Sequence, residues 1–133
     1  MSRNEIEREI ESMLGFVPGW FQPMADQQLE QEWVAWKSQA TRKGMIPDKY
    51  RELISLGIMA ATQDRYGIFY CTEAAKMAGA TDEEIREVAE LVKYDVGWGP
   101  FLRLNQVDYE QFKKEVVRAM ENFRSRQMSK QSM

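Results

Sequence analysis

Residues 64–85 read DRYGIFYCTEAAKMAGATDEEI, and the fold class turns on how that run divides. Asp64 suits a helix N-cap, and small or apolar residues follow it at helical spacing to about Ala78. Gly79 then stops the run, as glycine does where a helix closes in a left-handed conformation. Thr81 and Glu84 stand at the spacing of a reciprocal capping box, which opens the next helix. Ile85, Val88, Ala89 and Val92 continue that helix and are expected to face inward. The stretch predicts two helices joined by a tight turn.

Outward from there, every periodic segment keeps the helical spacing and none alternates at two. Upstream, Pro47 belongs to the first turn of a helix carrying Tyr50, Leu53, Ile54, Gly57, Ile58 and Ala61. Before it, a helix ending near Gly44 shows Leu29, Trp33, Trp36 and Ala40 on one face. At the start, Ser2-x-x-Glu5 is a further capping box, for a helix with Ile6, Ile10 and Met13/Leu14 that ends at Gly15. Downstream, Gly97-Trp98-Gly99-Pro100 reads as a break into a short segment. A last helix begins near Asp108, with Phe112, Val116, Ala119/Met120 and Phe123 expected inside.

The expectation is therefore an all-α chain, an antiparallel helical bundle of about six to seven helices in a single domain spanning 1–133. Residues 1–20 and 125–133 are expected to be the least securely packed. Trp20, Phe21, Trp98 and Phe101 stand near the breaks and read either as core lids or as an oligomer contact.

The totals narrow the function classes. A chain of 133 residues with 44% apolar and 29% charged residues fits one ordinary globular domain. The net charge is −3 and no basic stripe occurs, so no nucleic-acid partner is expected. The mildly basic tail, RSRQMSKQSM, reads as a solvated end. No apolar run approaches the roughly 20 residues that cross a bilayer, and MSRNEIEREI is too charged for a signal peptide. One cysteine excludes an internal disulfide framework and suggests a reducing cytoplasm. With no histidine and one thiol, zinc is not expected; no tight Asp/Glu cluster advertises magnesium, and no cofactor is expected.

The candidate chemistry lies on one face of the helix that Asp64 opens. Asp64, Gly67 and Cys71 fall at i, i+3 and i+7, and Ala74, Ala75 and Ala78 continue the face with small side chains. Glycine inside a helix costs about 1 kcal/mol relative to alanine. Either a backbone approaches Gly67 closely or a pocket opens there beside Cys71. Cys71 is either a nucleophile or a small apolar core residue. Its neighbours one turn away are Gly67, Ile68, Ala74 and Ala75, and none is cationic. Tyr66 and Tyr70 flank the face and offer phenol donors to a ligand, or simply pack with the hydroxyl at the surface.

Arg51-Glu52-Leu53-Ile54, Cys71-Thr72-Glu73 and Gly79-Ala80-Thr81-Asp82-Glu83-Glu84-Ile85 together resemble the carboxymuconolactone decarboxylase and alkylhydroperoxidase D superfamily, over about residues 29–97. The resemblance implies an alkylhydroperoxidase D-like helical fold, a trimer or hexamer, and either peroxidase or decarboxylase activity. Redox-active members carry Cys-x-x-Cys-x-x-x-His before the Gly-Ala-Thr phrase, with a relay glutamate on the preceding helix. Matched to this chain, that motif falls on Asp64, Gly67 and Cys71, and the relay position on Glu52. Only the glutamate is kept, and the decarboxylase histidine is Cys71 as well.

A peroxidase cycle needs one thiolate to attack the peroxide and a second thiol to resolve the sulfenic acid. A single thiol forms no intramolecular disulfide. The leading expectation is a member lacking the disulfide-redox motif that binds a small ligand in a pocket between helices 47–63 and 64–78, or has diverged chemically. The alternative is a peroxiredoxin-type, antioxidant enzyme using Cys71 with Glu52, or Glu52 with Asp64 as acid and base. A third is a plain helical interaction module without a pocket. Against catalysis, Asp64 has a sufficient role as a cap, and Glu52 can pair at the surface with Lys49, Arg51 or Arg86.

Overall fold

The structure, a computed structural model, describes residues 1–131. Among them are six α-helices and one 3-10 turn, with no strand: α1 (Arg3–Leu14), the turn Gly19–Phe21, α2 (Asp26–Thr41), α3 (Asp48–Ala61), α4 (Arg65–Met77), α5 (Asp82–Leu104) and α6 (Tyr109–Gln131). The all-α expectation holds. The chain divides into two compact units, residues 1–48 and the part beginning at Lys49.

In the first unit, Ser2 and Glu5 form the expected capping box, and Gly15 ends α1 at φ 86°. Ile6 and Ile10 of α1 meet Leu29 and Trp33 of α2, and Phe21 of the 3-10 turn closes the cluster. Phe21 stands edge-on to Trp33 at 5.9 Å, and Trp36 stacks on Trp33 at 5.3 Å. Lys37 lies over the Trp33 ring and pairs with Glu9, whose carboxyl it holds below the usual range. The sequence reading of residues 1–20 as least secure is overturned. Charged helices with a narrow apolar face look weak alone, but two tryptophans and a phenylalanine fill the space between them. Of the aromatics left open, Phe21 is core and Trp20 is exposed.

The second unit is built on three helix junctions of one form. At the end of α3, Gln63 takes φ 58°, its N–H donates to Ala60 O, and the Asp64 N–H donates to Met59 O. At the end of α4, Gly79 takes φ 94°, with Gly79 N–H to Lys76 O and Ala80 N–H to Ala75 O. After α5, Gln106 takes φ 55°, with Gln106 N–H to Arg103 O and Val107 N–H to Leu102 O. Each is a Schellman closure. Each is followed at once by a capping residue: Asp64, Thr81 and Asp108.

Two expectations in this unit fail. Residues 97–100 do not break the chain; α5 continues through Pro100 to Leu104. Neither Gly97 nor Gly99 takes a positive φ, and a proline that costs one hydrogen bond is held by the turns on either side. Nor do α5 and α6 bury a single residue. Ile85, Val88 and Val92 are half-buried and Ala89 is exposed, while Phe112 and Val116 are 37% exposed and Met120 and Phe123 more than 60%. The buried residues of the unit are Leu56, Cys71 and Ala75.

Candidate functional site

The face predicted from sequence is assembled by the α3–α4 junction. Because Gln63 turns the backbone left-handed, Asp64 is both the last residue of one Schellman closure and the N-cap of α4. Its Oδ1 accepts from the N–H groups of Tyr66 and Gly67, each at 3.1 Å. These bonds satisfy two of the orphan donors of the first helical turn, so the carboxylate is held by its own helix.

Gly67 is neither approached by backbone nor open. A methyl group placed there would collide with Met59, whose Cγ lies 2.7 Å from that position and whose Sδ is closer still; Asp64 Oδ2 would be at 3.1 Å. The space that the missing side chain leaves is filled by the Met59 side chain, reaching across from α3. Met59 carried no signal in the sequence, since a methionine among apolar helix residues looks like any other.

Cys71, one turn further along α4, is 6% exposed. Burial pushes its thiol upward first, and the negative charges of Glu52 and then Asp64 push in the same direction. Glu52 of α3, half-buried, thus acts electrostatically on the sulfur as Asp64 does. The structure brings Glu52, Asp64 and Cys71 into one electrostatic neighbourhood. It places Tyr66 at the surface, 85% exposed, and leaves Tyr70 half open. Burial together with two carboxylates favours the neutral thiol, the form that neither attacks peroxide nor binds metal. Among the described residues no group of three or more Cys, Asp or Glu side chains could hold a metal ion.

A second feature was not foreseen as a cleft. Between α3 and α5 runs an open apolar groove of about 580 Å³. Leu53, Ile54 and Ile58 line one side, and Val88, Leu91 and Val92 the other. Its floor is Gly57, where an added methyl would meet Val88 at 3.7 Å and Val92 at 3.9 Å. Lys49 and Glu84 pair at 3.1 Å across one end, and Glu87 and Asp95 stand along the α5 wall. The α3 residues are those expected to face a core, but half of Ile54 and Ile58 remains exposed.

No helix among the described residues is long and apolar enough to cross a membrane. No curated protein and no solved structure matches the chain. Residues 27–107, well over half of it, match the model of the Carboxymuconolactone decarboxylase family. That span runs from the start of α2 past the end of α5, and so contains Glu52, Asp64, Gly67, Cys71 and the Gly79–Glu84 junction. On that match, with the helical architecture around it, the chain belongs to the carboxymuconolactone decarboxylase family.

Proposed function

We propose that this family member has given up two-thiol redox chemistry and works as a self-associating helical interaction protein. The observation that carries the reading is the state of the inherited face. Asp64 is consumed as a cap, the Gly67 space is taken by Met59, and Cys71 is buried with its thiol pushed up. The chain has no second cysteine to resolve a sulfenic acid, and the space at Gly67, one turn from the sulfur, is filled by Met59. Exposed apolar residues along α3, α5 and α6 support self-association into a homo-oligomer. A lone reduced thiol suits the cytoplasm.

A coupled assay with cumene hydroperoxide and dihydrolipoamide tests the redox half of the reading. Turnover by the purified chain should equal buffer and be unchanged in Cys71→Ser. Hydroperoxide consumption that disappears in Cys71→Ser would establish the one-cysteine enzyme instead. Size-exclusion chromatography with light scattering tests the other half, the expected mass being a multiple of 15.6 kDa.

A further inference from the structure

We infer that helix α6 of one copy docks in the α3–α5 groove of a second copy. The inference deepens the self-association proposed above and rests on it. α6 is 23 residues long and buries none of them. Yet Phe112, Val116, Met120 and Phe123 recur at i, i+4, i+8 and i+11, one continuous stripe. A helix with such a stripe is stable in water only when something covers it. The groove is the complementary object, an open apolar trough whose two walls are already helices.

Length and charge both fit. From Phe112 to Phe123 the stripe spans about 17 Å, and the groove wall from Tyr50 to Ala61 spans about the same. α6 carries six basic and three acidic residues, whereas α5 carries six acidic and three basic. At 100° per residue, Arg124 borders the stripe on one side and Arg126 on the other. On the groove, Glu87 and Asp95 are the acidic counterparts. Like-charged rims would repel; these attract and set orientation.

The chain's own α6 is a poor occupant. Only residues 105–108 link it to α5. Folded back as a hairpin, α6 would run along α5 with its stripe against about residues 90–101, so the stripe would not reach the Val88 end of the groove. A second copy has no such tether, and exchange between two copies satisfies both grooves at once.

Two variants separate the possibilities. The first, Glu87→Lys/Asp95→Lys, has a basic groove and a basic α6. The second, Arg124→Glu/Arg126→Glu, has an acidic groove and an acidic α6. Each alone should associate with itself roughly ten-fold or more weakly than the unmodified chain, by light scattering across a dilution series. Mixed, they should form a 1:1 hetero-oligomer, because each groove then meets a helix of opposite charge. Circular dichroism of each variant checks that its helices are kept; Phe112→Asp, on the stripe alone, should also dissociate the assembly. If both variants associate as the unmodified chain does, or if mixing restores nothing, the docking is wrong while self-association stands. If the unmodified chain is a 15.6 kDa monomer at tens of micromolar, roughly the range where weak complexes form, docking and self-association both fail.

Discussion

Replacing Gly67 by alanine sets two energies of similar size against each other. The substitution gains about 1 kcal/mol of helix propensity at an interior position of α4. Against that, the new methyl would stand 2.7 Å from Met59 Cγ, well inside van der Waals contact, and 3.1 Å from Asp64 Oδ2. Cγ is in the middle of the methionine side chain, so the whole side chain must leave its rotamer. Forcing extra volume into a packed contact costs about 1–3 kcal/mol. The net expectation is a loss of roughly 1 kcal/mol. Met59→Ala, at a half-buried position, should itself cost about 1–2 kcal/mol, less than a fully buried truncation. With Met59 already gone, Gly67→Ala should change sign and stabilise by up to about 1 kcal/mol. The double-mutant cycle read by urea denaturation therefore yields a coupling of roughly 2 kcal/mol. Gly97→Ala is the control: nothing lies within 4 Å of its added methyl, so it reports propensity alone. A Gly67→Ala effect that is stabilising, and equal in both backgrounds, would mean that Met59 does not fill the space and that the face beside Cys71 is open.

Three further expectations concern the thiol and the junctions. Cys71 should react with iodoacetamide at pH 7.5 roughly ten-fold or more slowly than a free thiol; Glu52→Gln should shift the pH profile of labelling downward, since it removes a charge that raises the thiol, and an unmoved profile would refute that proximity. Because the folded thiol holds its proton to higher pH than the unfolded one, stability should fall as pH rises above its ordinary value of 9.0, and Cys71→Ala should flatten that limb of a pH–denaturation series. Gln63→Gly and Gln106→Gly should each stabilise by about 0.5–1 kcal/mol in chemical denaturation, because both glutamines sit left-handed where glycine is unstrained. Glu84 is held below its ordinary value first by the Thr81 backbone and then by Lys49, so its contribution is present above pH 4.5 and lost as pH falls through the lowered value; Thr81→Ala, which removes the other half of the box, should cost about 1 kcal/mol, and an acid-unfolding midpoint unchanged in Glu84→Gln would refute the linkage.

What the sequence made legible follows from which features are local. Ser2–Glu5 and Thr81–Glu84 were readable because a capping box is four residues of fixed chemistry. Gly79 was readable because glycine is the usual left-handed closure, whereas Gln63 and Gln106 do the same work without a glycine to announce it. The break expected at residues 97–100 failed because two glycines and a proline lower helix propensity without forbidding helix, and α5 has turns enough on both sides to carry them. Packing was the hardest to read. Periodicity identifies an apolar face but not what covers it; α1 and α2 find each other, while the stripe of α6 meets nothing within its own chain that buries it. At the candidate site the same limit applied. The residues of the face were legible from spacing, and Met59, which determines whether that face is open, came from another helix.

Asp64, Gly67 and Cys71 are each absorbed by folding, and the absorptions depend on one another. Asp64 can cap α4 only because the Gln63 turn delivers it to the helix start, and that same turn fixes the α3 end, just upstream of which Met59 sits. With Met59 in place, any side chain added at position 67 meets the methionine first, so a cysteine placed there would have to displace it. A cysteine at 64 would in turn remove the acceptor for two backbone N–H groups. Cys71 therefore sits in a face whose other members are held by packing and hydrogen bonds unrelated to its sulfur. Placing cysteines at 64 and 67 would therefore disturb the cap of α4 and the packing of Met59 together. That coupling explains in physical terms how a chain of this family can keep its helical fold around a single buried thiol.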